Sequence, residues 1–347
     1  MSPAAALEGW LPMDGDTFKT VDGFIFNVFG YEHPEGRVLS FLKYIPSRYR
    51  GLFKVKLLGR TWRLGEVELL RAERLYTAEN YRAFLTAFRE NFPDYVYHCP
   101  YRMKEVISIP IDRIAEVYSP RERLRALNEA GAKDPLQRTA LDLIELVSEE
   151  ARVPVEEFGI HGSIALNMHT ENSDIDFVVY GGQNFRRVEA AIERLAGMGV
   201  LNYILKNRLD AARRFRGRFQ GRIFMYNAVR KPEEMTARYG SHRYTPISPV
   251  RLRCRVKEDG EAVFRPAIYG IEEVKPIDPN SALLGELTPE VVVSMVGCYR
   301  NVARRGEEVE VSGVLERVES TETGEVSHQV VVGSAVGEEE YIWPLQP

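Results

Sequence analysis

Between residues 134 and 229 the spacing of apolar positions alternates between helical and strand periods, and that alternation sketches a folding unit. Asp134-Pro135 joins a cap to a proline at the first helical position, and Leu136, Ala140, Leu143, Ile144 and Val147 form one apolar stripe. Residues 157–161 then read as a short strand ending at Gly162-Ser163. The run SDIDFVVY alternates with period two, so Ile175 and Phe177 take one face while Asp174 and Asp176 share the other. Beyond Gly181-Gly182 the helical period returns over 184–198, on Phe185, Val188, Ala191, Ile192 and Leu195. A short strand at 201–205, a helix at 208–216 and a strand at 221–229 complete the expected unit.

The preceding segment is patterned differently. Residues 16–21 and 24–29 flank an Asp22-Gly23 turn, 37–45 is a third extended run, and a second hairpin is expected around Gly59-Arg60. Helical spacing is read over 66–74, from Leu69 and Leu70, and over 78–91, from Leu85 and Phe88. Residues 111–129 read as two short helices broken at Ser119-Pro120, and Gly131-Ala132-Lys133 as a boundary. From Val250 onward short strands recur with turn signals, at 251–256, 262–269, 291–299, 308–318, 329–332 and 341–343, as in a small barrel or sandwich. The stretch VEVSGVLERVES within it has the look of an oligonucleotide-binding-type strand. The expected fold is therefore a multidomain α/β (α+β) chain. An α+β domain occupies 1–132, a mixed-sheet domain 133–248, and a small antiparallel β-barrel or sandwich 249–347.

Composition changes this picture in two places. With 44% hydrophobic and 28% charged residues the chain is an ordinary globular one, and no apolar run approaches the roughly 20 residues that span a bilayer. The opening MSPAAALEGW lacks the basic patch and apolar core of a signal peptide, which leads to a cytoplasmic expectation. Cys99, Cys254 and Cys298 form no C-x-x-C pair and read as reduced, and Tyr97-His98-Cys99 lacks the partners of a metal site. The net charge of −4 hides an uneven distribution: residues 208–255 hold 13 Arg or Lys against Asp210, Glu233 and Glu234, and residues 306–340 hold 10 Glu against one Arg.

Two neighbouring carboxylates on one strand face repel unless a cation lies between them. Mg²⁺, a hard ion that prefers carboxylate and phosphate oxygens, suits Asp174 and Asp176, and Mn²⁺ is the alternative. A glycine followed by a serine at a strand-to-helix turn lets backbone N–H groups approach a phosphate, as Gly162 and Ser163 are placed to do.

Gly162-Ser163, ten intervening residues and Asp174-Ile175-Asp176-Phe177 together resemble the signature of the DNA polymerase beta-type nucleotidyltransferase superfamily. The longer string GSIALNMHTENSDIDFVVYG, with the strand-rich tail, resembles an archaeal family of predicted nucleotidyltransferases. The resemblance implies a nucleotidyltransferase-fold core that moves a nucleoside monophosphate from an NTP, ATP by abundance, by a two-metal mechanism. Asp174 and Asp176 would hold the metals and Gly162-Ser163 the triphosphate. It also implies a third carboxylate on a later strand. Residues 221–229 contain no acid; Asn227 is the nearest polar candidate there, and Asp210, Glu233 and Glu234 are neighbouring substitutes. That gap leaves a second reading, a degenerate domain that binds nucleotide or RNA without chemistry. His161 and His169 bracket the turn and read more readily as packed or solvent-facing than as proton shuttles. Arg213, Arg214, Arg216 and Arg218, interleaved with Phe215 and Phe219, read as a strip for a triphosphate or for an RNA acceptor.

Overall fold

The computed structural model describes residues 9–278, 281, 287–335 and 339–345. The opening residues 1–8, read above for a leader, and Glu338 of the acidic band lie outside them. Three sheets carry the described chain. No described helix is long and apolar enough to cross a membrane.

The first sheet has eight strands and holds an aromatic core in which Phe18, Phe24, Phe26 and Phe88 are fully buried. Its long strand, Arg37–Pro46, buries Val38, Ser40, Leu42 and Tyr44 on one face and turns Leu39, Phe41 and Lys43 to the other. The helix Ala78–Asn91 forms as expected, with the Thr77 hydroxyl accepting from Asn80 N–H at 3.2 Å. Three expectations fail here. Residues 66–74 are not helical: Val67–Leu70 is a strand, pairing with Trp62–Leu64 and, through Leu70, with Ile45. The hairpin turn lies at Gly65, where φ is +58°, and not at Gly59-Arg60. Residues 111–129 hold one 3-10 turn, then the strand Ile114–Tyr118 paired with Thr17–Thr20, and only Pro120–Ala130 is an α-helix. Runs this short fit either period, and the tertiary pairing decides.

The second sheet has five strands in the order Asn202–Tyr203, Arg216–Phe219, Arg222–Val229, Ile175–Tyr180, Phe158–His161. Ile175–Tyr180 pairs parallel with Arg222–Val229 and antiparallel with Phe158–His161, so the sheet is mixed. The helices Pro135–Ala151 and Gly182–Gly197 cover one face, where Ile175, Phe177, Phe224 and Tyr226 join their apolar stripes in one core. Leu124 of the Pro120–Ala130 helix belongs to the same core, and that helix crosses so close to Gly159 that a Cβ there would meet Pro120 at 2.7 Å.

The third sheet closes into a five-stranded barrel. His242–Glu258, Ala267–Pro276, Val291–Ser294, Val326–Val332 and Glu308–Ser320 follow one another around it, and the last pairs back with the first. Such a Greek-key closure removes the exposed edges. One pair departs from the antiparallel expectation: Val291–Ser294 and Val326–Val332 run parallel, because Glu308–Ser320 lies between them in sequence but not in space. The pattern change expected near Ser248-Pro249 falls inside a single strand that pairs with its neighbour from His242 to Arg255.

Candidate functional site

The site forms where the second sheet faces the other two. Phe158–His161 ends at Gly162, whose φ of +65° turns the chain into the short helix Gly162–Ala165. The adjoining strand lies so close that a Cβ on Gly162 would collide with Asp176 Oδ2 and stand 3.0 Å from its Cγ. Glycine is therefore required here for both backbone angle and space. The antiparallel register sets His161 opposite Asp176, which puts Gly162-Ser163 and the carboxylate pair side by side as expected.

The two acids stand in different surroundings. Asp174 is partly exposed and accepts from Arg216 Nη2 at 3.3 Å. Asp176 accepts no hydrogen bond from any described residue, and burial pushes its carboxyl up, with Lys43 pulling the other way and Asp174 adding to the rise. Lys43 comes from the first sheet. Burial pulls its ammonium down to about 8, Asp176 opposes this, and Arg71 and Arg265 add to it. A half-buried carboxylate with no donor, beside a second carboxylate, matches what a hard divalent cation requires of its ligands.

Around the pair gathers a set of cations that no local pattern announces. Arg265 and Arg300 enter from the barrel segment; burial pulls the Arg300 guanidinium down to about 9, Arg265 acts the same way and Asp14 opposes. Burial, Lys43, Arg265 and Arg300 together hold His161 well below the ordinary imidazole range, so the ring is neutral. Arg265 meets Asp14 at 3.6 Å, and its Nε is buried without an acceptor. His161 thus joins the site. His169 does not: its Nε2 lies 2.9 Å from Asp134, the cap of the Pro135–Ala151 helix.

Of the four strip arginines, only Arg216 reaches the carboxylates. Arg213 donates to the Cys298 carbonyl at 3.2 Å, Arg214 pairs with Glu193, and Arg218 donates to the Gly221 carbonyl at 2.9 Å. The rings meant for stacking, Phe215 and Phe219, are buried in the core. Of the candidates for the third acid, Asn227 lies on the Asp176 face of the sheet, and the acids themselves are placed elsewhere. Asn227 Oδ1 accepts from Arg300 at 2.6 Å, Asp210 sits at the Asn207 cap, and Glu234 accepts from the Lys231 and Gly182 N–H groups. Glu233 lies in the 3-10 turn Pro232–Glu234. Among the described residues no three His, Cys, Asp or Glu side chains cluster as a metal site. Level with Asp176 on the next strand stands Met225, and level with Met225 on the strand beyond stands Arg216.

Comparison with known proteins covers the stretch in which these residues lie. Residues 142–223 match the family model of the nucleotidyltransferase domain, which takes in Gly162, Ser163, Asp174 and Asp176. An uncharacterized protein of the archaeon Methanocaldococcus jannaschii is 26% identical over 340 residues, covering 92% of this chain and 94% of its own length. No solved structure matches the chain significantly. The match to the nucleotidyltransferase domain model falls where the motif implied it, and the similarity to an archaeal protein extends well beyond that stretch.

Proposed function

We propose that this protein is a Mg²⁺-dependent nucleotidyltransferase that moves a nucleoside monophosphate from an NTP, with ATP the default donor, to an acceptor hydroxyl. The observation that carries the reading is the undonated carboxylate of Asp176, paired with Asp174 directly over the Gly162 turn inside the matched domain. Asp174 and Asp176 would hold the metal, and a divalent cation there supplies an acidified acceptor hydroxyl and a charge-neutralised triphosphate. The remaining work falls to the chain. Backbone N–H groups at Gly162-Ser163 and the Ser163 hydroxyl bind phosphate oxygens. Lys43, Arg265 and Arg300 offset charge on the pyrophosphate as the bond between the α-phosphorus and its bridging oxygen breaks and the bond from the acceptor oxygen forms. Neutral His161 is available to the same phosphates as a hydrogen-bond donor.

Pyrophosphate release from labelled NTP with Mg²⁺ or Mn²⁺, measured against candidate acceptors, tests the reaction. Activity in the native chain that falls to background in both Asp174→Ala and Asp176→Ala is the expected result. Turnover that survives either substitution would overturn the assignment.

A second reading rests on the side chains that flank the pair. Met225 presents an apolar group on the strand where the superfamily's third carboxylate is expected, and Arg216 a cationic one on the strand beyond. On this reading the domain binds nucleotide and performs no transfer. It predicts nucleotide binding with no pyrophosphate release from any acceptor.

A further inference from the structure

A cavity of about 380 Å³ lies between the first sheet and the barrel, lined by residues outside the matched nucleotidyltransferase stretch. Its size is that of a small-molecule site. Phe41 forms part of one wall and Tyr76 part of another, their rings in edge contact at 5.5 Å, and Tyr76 remains 52% exposed although large and aromatic. Arg265 closes the end nearest the carboxylates, its guanidinium 4.9 Å from the centre of the Phe41 ring.

One strand joins a wall of the cavity to the candidate site. Phe41 and Lys43 are alternate residues of Arg37–Pro46 on one face, hence about 7 Å apart along the strand. Lys43 is within electrostatic reach of Asp176, and Arg265 within reach of Lys43 and His161. At one end of the cavity Arg102 and Lys104 are set against Glu32 and Glu340, and Arg265 lines the other. Lys43 and Arg300 stand beyond that lining, towards Asp176 and Asp14. An occupant with an aromatic ring inside the cavity and a phosphate extending past Arg265 matches both the rings and this placement of cations.

We propose that this cavity binds the nucleoside part of a nucleotide, with the base against Phe41 and Tyr76 and the phosphate directed to Lys43 and Arg265. The assignment rests on the nucleotidyltransferase reading for the position of the phosphates. Two sources share this chemistry, the donor NTP and a nucleotide acceptor.

Isothermal titration calorimetry on the full chain separates them. The probes are each common NTP, each nucleoside monophosphate and inorganic tripolyphosphate, all with Mg²⁺. The proteins are native, Phe41→Ala and Phe41→Tyr, with folding checked by circular dichroism. Loss of a stacking ring lowers affinity by at least about fivefold. If the donor occupies the cavity, Phe41→Ala weakens an NTP by that factor, Phe41→Tyr restores it, and tripolyphosphate binding does not move. If an acceptor nucleotide occupies it, NTP binding is unchanged, and a monophosphate titrated over a saturating non-hydrolysable NTP shows the loss. Native affinities for every NTP and monophosphate in Phe41→Ala, or no nucleotide binding tighter than tripolyphosphate, overturns the proposal. Because binding is read without turnover, missing pyrophosphate release would sink the transfer reaction and leave this result standing.

Discussion

Gly162 is the residue on which the site's geometry turns. Its left-handed φ of +65° disfavours other residue types, and the space a Cβ would take is filled by the Asp176 carboxylate. Gly162→Ala should therefore destabilise the protein by about 1–3 kcal/mol in urea denaturation and reduce pyrophosphate release to background, since Asp176 must move to admit the methyl. An alanine variant of native stability and activity would show that the turn yields freely. The requirement was readable in the sequence because it is local: a glycine at a strand end and an alternating acidic strand both declare themselves within a few residues. Lys43, Arg265 and Arg300 did not declare themselves. Each lies in an ordinary run of its own, more than 60 residues from Asp176, and acquires meaning only when the sheets pack.

At the scale of strands, register decides what faces the carboxylates. Phe224 and Tyr226 point into the core with Ile175 and Phe177, so Met225 shares the opposite face with Asp176, its in-register partner. Neighbouring strands lie about 4.8 Å apart, which leaves an acid at position 225 within reach of the pair. Met225→Asp should accordingly raise Mn²⁺ affinity by about tenfold, measured by electron paramagnetic resonance, because each added carboxylate strengthens a hard-cation site. Unchanged Mn²⁺ affinity in a folded variant would remove Asp176 from the metal role assigned to it. The sequence correctly suggested that residues 221–229 form a strand without an acid, yet it could not say which of them faced the pair. Helix and strand were likewise confused at Val67–Leu70 and Ile114–Tyr118, where four or five residues carry too little period to overrule a partner strand.

For the whole molecule, charge counted along the sequence proves a poor guide to charge in space. Residues 242–255 of the basic stretch and residues 308–320 of the acidic one lie beside each other in the barrel, where Arg253 pairs in register with Glu310 and Arg255 with Glu308. Arg251 and Arg253 share Glu310, Arg230 meets Glu261, and Lys231 meets Glu157. Arg213, Arg218 and Arg222 donate to backbone carbonyls. The thirteen cations of residues 208–255 are thus largely engaged within the fold. A single strand of RNA neutralising all of them would show a slope of log affinity against log salt near −9, at about −0.7 per phosphate. A strand that places only terminal phosphates among Lys43, Arg265 and Arg300 would show about −2. The shallow slope is the expected outcome of gel-shift titrations with short single-stranded RNA over a range of salt. It should flatten further in Lys43→Ala and remain unchanged in Arg251→Ala combined with Arg253→Ala, since those two side chains are held by Glu310. A slope steeper than about −5, relieved by the Arg251 and Arg253 substitutions, would instead mean that the barrel pairs open to receive nucleic acid.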